Sequence, residues 1–300
     1  MPKYLALIIG LIFMSFSAIF IKKAEAAGIA TAFYRMLIAA TILLVPFLIL
    51  QFRSRRRLPL KGIMLASLAG MCFGIDMSLW STGIVASNAT IPTIFANTAP
   101  IWVGFGSMLV FREKHRVGFW IGLILAFSGI PVLLLKDFTA SNGILFGSIL
   151  GAGAGFFYGA FQVLSQPGRQ LLNTLSYLFF STISSVIVLF IAMLIFNYPF
   201  TGYNTQTTVI FFAYGIGVQV FGWFLINYAQ GHIPASIVAP TLLGQPVITA
   251  FLAIVLLREQ LTIWHITGGL VIVAGIYIVH FTNGRARKRE QEIKKQARQI

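Results

Sequence analysis

Apolar runs of about twenty residues fill most of this chain, separated by short joints that carry charges, glycine or proline. A helix crossing the hydrocarbon core needs roughly 20 mostly apolar residues. Ten runs reach about that length: Tyr4 to Ile21, Ala30 to Phe52, Gly62 to Val85, Ile91 to Phe111, Val117 to Leu135, Gly143 to Leu164, Leu175 to Phe196, Thr208 to Tyr228, Ser236 to Leu257 and Ile263 to Phe281. The joints include Gly28, Pro59 to Lys61, Gln166-Pro167-Gly168-Arg169, Asn197 to Asn204 and Gly231 to Pro234, residues that end helices or bond freed backbone. Joints this short make neighbouring spans antiparallel and leave no room for a soluble domain. The pattern predicts an all-α integral membrane protein.

One stretch occurs twice without a gap, from Ala89 to Ile130 and again from Ala235 to Ile276. Pro100 aligns with Pro246, Arg112-Glu113 with Arg258-Glu259, Gly122 with Gly268 and Gly129 with Gly275, all at an offset of 146 residues. Such self-similarity in an apolar chain points to a duplicated helix bundle. The expected units are 1–138 and 139–282, each of five helices, followed by a basic tail at 283–300. Five is odd, so the second unit is expected to enter the membrane inverted relative to the first. Inverted repeats place a binding site near the midplane and alternate its access by rocking.

Composition agrees with the pattern. Hydrophobic residues are 58% of the 300, charged residues 10%, and mean hydropathy is +0.87, against roughly 25% charged in soluble domains. The formal charge of +15 does not point to nucleic acid, because the Lys and Arg lie in joints and in the tail. A cytoplasmic N-terminus puts 17 of the 22 Lys and Arg inside and four outside (Lys22, Lys23, Lys136 and Arg258), with Arg35 in a span. The positive-inside rule therefore predicts both termini in the cytoplasm of a cell-membrane protein. The N-terminal run is longer than the roughly 7–15-residue core of a secretory signal and reads as a retained first span. A lone cysteine, Cys72, and scattered His115, His232, His265 and His280 supply neither a disulfide framework nor ligand spacing for a metal, so no metal or cofactor is expected.

Particular residues resemble a known family. Each unit has a Pro in an apolar helix and a Glu thirteen residues later (Pro100 to Glu113, Pro246 to Glu259). Phe33-Tyr34-Arg35 opens the second span, Gly74-Ile75-Asp76-Met77-Ser78-Leu79-Trp80 is followed by Ala89-Thr90 and Ala96-Asn97, and Pro234-Ala235-Ser236 opens the ninth. In this order the motifs resemble the EamA family of the drug/metabolite transporter superfamily. The resemblance implies a ten-helix permease carrying small organic metabolites such as amino acids or sugars, often outward. It also implies that spans one to four and six to nine surround the pathway, while five and ten form a scaffold. One departure stands out. Small multidrug members couple protons through a glutamate in the first helix, and Tyr4 to Ile21 contains no acid.

The in-span polar residues are the candidate solute site. Asp76 lies well inside the third span, where an ionised carboxylate costs about 2.5–3.5 kcal/mol on insertion scales. It shares a helix face with Trp80, and reads either as a solute or proton site or as a structural carboxylate. Arg35 could pair with Asp76, meet an anionic solute group or snorkel to the headgroups. Polar stripes run along the eighth span (Gln219, Trp223, Asn227, Gln230) and the sixth (Tyr158, Gln162, Gln166). They suggest a wet cavity for a polar or zwitterionic solute, or else hydrogen bonding between helices at about 0.6 kcal/mol per contact, most readily for Gln166 and Gln230 at helix ends. Thr93 with Asn97, and Thr241, Gln245 and Thr249, share faces of the fourth and ninth spans. Pro100 and Pro246 are expected mid-helix, as hinges or static bends. Gly122 with Gly129 and Gly268 with Gly275 are seven apart and suit close packing of the fifth and tenth spans. Glu113 and Glu259 read best as caps or turn ion pairs.

A secondary transporter without a cofactor, whose partners are a small-molecule solute and the lipid bilayer, working either with a coupled proton or by facilitated diffusion, fits these features. An intramembrane enzyme would need converging nucleophiles or acids, and a non-transporting scaffold or receptor leaves the polar stripes unexplained. Asp76 has Gly222 at the matching position of the second unit, so charge-dependent chemistry is expected on the first unit alone.

Overall fold

The computed structural model describes residues 1–54, 57–87, 90–135, 143–257 and 262–296, with side-chain surroundings at all of these except Ala18, Lys22, Thr90, Ala253, Leu257 and 283–296. Lys136, Arg258, Glu259 and the charged side chains of the tail lie outside the described residues. Helix accounts for the architecture, and no strand occurs among the described residues. Nine runs among them are long and apolar enough to cross a membrane, from Lys3–Ile21 to Ile263–Thr282, and Val117–Leu133 is a further apolar helix of 17 residues.

Five spans are single helices: α3 (Gly28–Ser54), α4 (Leu60–Ala86), α7 (Val117–Leu133), α8 (Ile144–Leu171) and α9 (Thr174–Ile195). The tenth, α14 (Ile263–Gln296), carries its backbone helix beyond the apolar part into the tail. The remaining spans are interrupted. The first divides at Phe16 into α1 (Lys3–Ser15) and α2 (Ser17–Lys23). The fourth divides into α5 (Thr90–Ala96) and α6 (Ala99–Phe111), and the ninth into α12 (Ala235–Leu242) and α13 (Gln245–Leu257). The eighth joins α10 (Thr205–Tyr214) to α11 (Trp223–Gln230) through a π-helical stretch, Gly215–Gly222.

The two breaks in the repeated stretch, Asn97-Thr98 and Leu243-Gly244, fall at equivalent positions. Both are tight turns. Thr98 N–H donates to Phe95 O at 3.0 Å and Gly244 N–H to Thr241 O at 3.0 Å. Pro100 and Pro246 follow as the second residues of α6 and α13, which corrects their expected mid-helix placement. A proline at the start of a helix costs nothing, because the N–H it lacks would have had no intrahelical partner. The sequence also expected Gln166-Pro167-Gly168-Arg169 to be a joint, yet α8 runs through it to Leu171. Tertiary contacts override the proline here: Tyr177 packs on Gly168, and the Arg169 side chain bonds the carbonyl of Leu172 just beyond the helix.

Lipid removes the hydrophobic drive between helices, so close backbone approach carries the packing. A Cβ on Gly122 would lie 2.8 Å from Gly275 O, and one on Gly129 would lie 2.7 Å from Gly268 O. These four glycines therefore sit where α7 and α14 cross. On α8, Gly147, Gly151, Gly155 and Gly159 form a smooth strip, the last three against Pro92, Thr98 and Trp102 of the fourth span. On α4, Gly70 touches the α9 backbone so closely that a Cβ would stand 2.0 Å from Ser181 O. Large apolar side chains such as Leu109, 82% exposed, cover the outside, as a lipid-facing surface requires.

The two chain ends share a face. Tyr228, near the end of the eighth span, donates its hydroxyl to Met1 O at 3.2 Å, and the Tyr4 ring lies 6.2 Å from that of His280 in α14. The opposite face carries the joints at 24–27 and 196–204, where Asn204 donates to the Glu25 carboxylate at 2.7 Å. Asn173 and Asn204 cap α9 and α10 by accepting from Ser176 N–H at 2.9 Å and Thr207 N–H at 2.7 Å.

Candidate functional site

Arg35 and Asp76 face a common buried region between α3, α4, α8 and the eighth span. Arg35 is only 4% exposed, which excludes snorkelling. Its Nη1 donates to the Tyr214 hydroxyl at 2.7 Å, its Nη2 lies 3.4 Å from Met77 Sδ, and the guanidinium stacks over the rings of Tyr214 at 4.7 Å and Phe73 at 5.7 Å. A weakly hydrated, planar cation is the basic group best suited to aromatic faces in a dry site. Asp76 is also buried, at 9% exposure. Among the described residues it has no salt bridge or hydrogen bond, so of the alternatives open to Arg35 a contact pair with Asp76 is not the one formed, although the two act on each other electrostatically.

An aromatic cluster floors this region. The Phe73 ring stacks on Phe161 at 4.6 Å and meets Trp223 edge-on at 4.8 Å, and Tyr158 lies 6.1 Å from Phe73. Several buried polar atoms around it have no protein partner: Arg35 Nε, Tyr158 Oη, Gln219 Oε1 and Trp223 Nε1. Buried donors and acceptors of this kind are costly unless another molecule satisfies them. The π-helical stretch holds Gln219 five residues beyond Tyr214, the residue that grips Arg35. Such stretches are uncommon in helices and occur often at functional sites.

Three residues expected in the cavity are engaged elsewhere. Trp80 donates its indole N–H to Thr93 Oγ1 at 3.0 Å, bracing the third span against the fourth. Asn97 turns back on its own helix, donating to Thr93 O at 2.8 Å. Gln245 donates to Met14 O at 3.3 Å and Thr249 to Ser15 O at 3.0 Å, which satisfies carbonyls freed at the Phe16 break. Gln162, Asn227, Gln230 and Gln166 lie between α8 and the eighth span, toward the face bearing the termini. Gln230 donates to Gln162 Oε1 at 3.3 Å, and Gln166 accepts from Ala235 N–H at 2.7 Å, acting as a cap supplied by another helix.

Other residues surround the site as well. Tyr214, Met77 and Phe73 form the immediate surroundings of Arg35, and Tyr214 is the last residue of α10, just before the π-helical stretch. Arg169, expected in a joint, is only 7% exposed. The four-residue spacing of Gly147, Gly151, Gly155 and Gly159 was legible and marks where the fourth span packs. Glu113 accepts from Ser236 Oγ at 2.6 Å at the start of α12, where a carboxylate also meets the positive end of the helix dipole. His115 lies 3.8 Å from Glu113 and 2.7 Å from Ser107 Oγ.

Near these contacts α6 packs on α12, and Val103, Val163, Ala235 and Ala239 form a small buried cluster. No comparable packing joins α5 to α13 among the described residues. A separate pocket of about 440 Å³, bordered by Tyr34, Phe200, Tyr203 and Phe211, does not include Asp76 and has no charged lining. No group of three or more His, Cys, Asp or Glu side chains that could hold a metal occurs among the described residues.

The model of the EamA-like transporter family matches residues 1–135 and 145–281. The chain belongs to the EamA-like transporter family. Its relatives carry the same general description. An uncharacterized transporter of Methanothermobacter thermautotrophicus is 29% identical over 217 residues, a match covering 69% of this chain and 61% of that protein. The chain thus spans about three fifths of that relative's length. An uncharacterized transporter of Archaeoglobus fulgidus is 26% identical over 290 residues, covering 93% of this chain and 99% of its own length. The uncharacterized transporter YoaV of Bacillus subtilis is 23% identical over 248 residues, covering 81% of this chain and 85% of its own. A crystal structure described only as that of a protein superposes with a TM-score of 0.79 over 93% of this chain and 97% of its own, at 13% identity, a likeness of fold alone. Membership makes this EamA chain a multi-pass membrane protein with a two-repeat helical fold.

Proposed function

We propose that this EamA-family protein is a secondary transporter that moves a small polar organic metabolite, such as an amino acid or sugar, by alternating access. The observation that carries the reading is the set of buried polar atoms without protein partners around Arg35 and Asp76. Asp76 accepts from a solute's donor or carries a coupling proton, while Arg35 Nε, Tyr158 and Trp223 supply donors from the other side. Zwitterionic solutes match this arrangement of both polarities, and the aromatic floor accommodates their apolar portions.

Units 1–138 and 139–282 act as inverted halves, and the turns at Asn97-Thr98 and Leu243-Gly244 serve as the hinges, with Pro100 and Pro246 starting the moving half-helices. The packing of α6 on α12 closes the face that bears the termini. With both termini in the cytoplasm of the cell membrane, this conformation faces outward, and export is the direction in which the solute reaches the site through the face closed here. The crossing of α7 and α14 is the fixed scaffold. Flux measurements in proteoliposomes across labelled amino acids and sugars test the reading. Movement of at least one solute class, blocked by excess unlabelled solute, is expected; no movement of any compound would overturn it.

A further inference from the structure

The half of the molecule that is closed here is polar where a dry plug would serve better. From Tyr158 to Arg169, α8 covers about 16 Å at 1.5 Å per residue, and the side chains between it and α11 form a continuous file: Gln162, Gln166, Arg169, Asn227 and Gln230. Gln162 is 0% exposed, and Asn227 and Gln230 are each 1% exposed. Gln162 Nε2, Asn227 Oδ1 and Gln230 Oε1 nonetheless have no partner. Leucines at these positions would seal the path at lower cost, since a buried amide atom left unbonded forfeits about 1–3 kcal/mol. The spare bonding capacity has a use in a state where the file opens.

Arg169 stands at the far end of the file. Its Nε donates to Asn227 O at 2.8 Å, its Nη2 to Thr174 Oγ1 at 2.7 Å and its Nη1 to Leu172 O. All three acceptors are neutral, and no carboxylate lies within salt-bridge range among the described residues. The bond to Asn227 O ties α8 to the eighth span, so separating those helices frees a guanidinium donor into the opened path. Within the spans, the described charged side chains of the route are Arg35, Arg169 and Asp76, two cations against one acid.

We infer that this file is the closed half of the solute route and that Arg169 makes it selective for anionic groups, carboxylates above all. The inference rests on the transporter reading and narrows its solute class to compounds bearing a carboxylate. A free guanidinium fork matches a carboxylate in a bidentate arrangement and disfavours entry of a cationic solute.

The test reads the path without needing the solute. Asn227→Cys and Gln230→Cys are each made in a Cys72→Ala background, and the full chain is reconstituted in liposomes. Each variant is treated with an anionic sulfonatoethyl and a cationic trimethylammonioethyl methanethiosulfonate, with rates normalised to free cysteine. Asn227→Cys keeps the main-chain carbonyl that Arg169 bonds, and His232→Cys on the same face is the exposed control. Both buried positions are expected to react, the anionic reagent roughly tenfold faster, a difference in keeping with a nearby unit charge in partly screened surroundings. Arg169→Gln should abolish the preference and Arg169→Lys retain most of it. Failure of both buried positions to react while the control reacts would overturn the inference, as would equal rates for the two reagents with Arg169 in place. Solute flux is not the readout, so failure of the transporter reading would appear separately.

Discussion

The Arg35 guanidinium both donates to the Tyr214 hydroxyl at 2.7 Å and lies 4.7 Å from the centre of the same ring. One aromatic residue thus satisfies a buried cation in two ways. Tyr214→Phe keeps the ring and removes the acceptor, and a hydrogen bond to a charged group contributes about 1.5–3 kcal/mol. The variant is expected to unfold at lower temperature in detergent by a corresponding amount, with Arg35→Gln, Tyr214→Phe no worse than Arg35→Gln alone. Full additivity of the two losses would show that the contact contributes nothing.

The scaffold crossing makes a separate demand on Gly275. A Cβ there would stand 2.3 Å from Ala126 N and 2.6 Å from Gly122 O, and backbone cannot yield as a flexible side chain can. Gly275→Val should cost about 3 kcal/mol, the upper end of overpacking penalties. Gly217→Val, at a position where a Cβ meets nothing within 4 Å, is the matched control for β-branching in a span. Thermal melts of the two variants side by side check the difference.

His115 lies in the joint between α6 and α7, where burial pushes its pKa below the ordinary 6.5 despite the opposing pull of Glu113. The folded state therefore resists a proton that the unfolded chain accepts. Between the lowered value and 6.5 the unfolded state binds more protons, so stability rises with pH there and is lost as pH falls. His115→Gln retains a group able to bond Ser107 and cannot titrate. It should flatten the fall in melting temperature as the pH drops below about 6.5. An unchanged pH profile would remove His115 from the account.

Much of this architecture was legible because lipid imposes strong rules. Length and hydropathy located the apolar helices, and the constant offset between Pro100 and Pro246 pointed to two repeats. The glycines at 122, 129, 268 and 275 were visible as a spacing, since helix periodicity decides which residues share a face. Asn97, Trp80 and Gln245 were harder to place. A polar side chain in a span can line a cavity or satisfy a carbonyl freed by a broken helix, and the breaks at Phe16 and Asn97-Thr98 follow from tertiary packing. Tyr214 and Arg169 were missed for the same reason. The partner of the first depends on how α10 packs on α3, and the burial of the second depends on α8 continuing through Pro167.

Solute recognition by the buried cluster around Asp76 and Arg35 is the central claim. Its most direct test is solute flux in proteoliposomes with the wild-type chain and Asp76→Asn, measured over a range of pH and with melting temperatures confirming that both are folded. The substitution keeps the shape of the side chain and removes its charge. The expected result is a loss of flux of tenfold or more, or a shift in its pH dependence, without loss of folding. Identical flux at every pH would contradict the account.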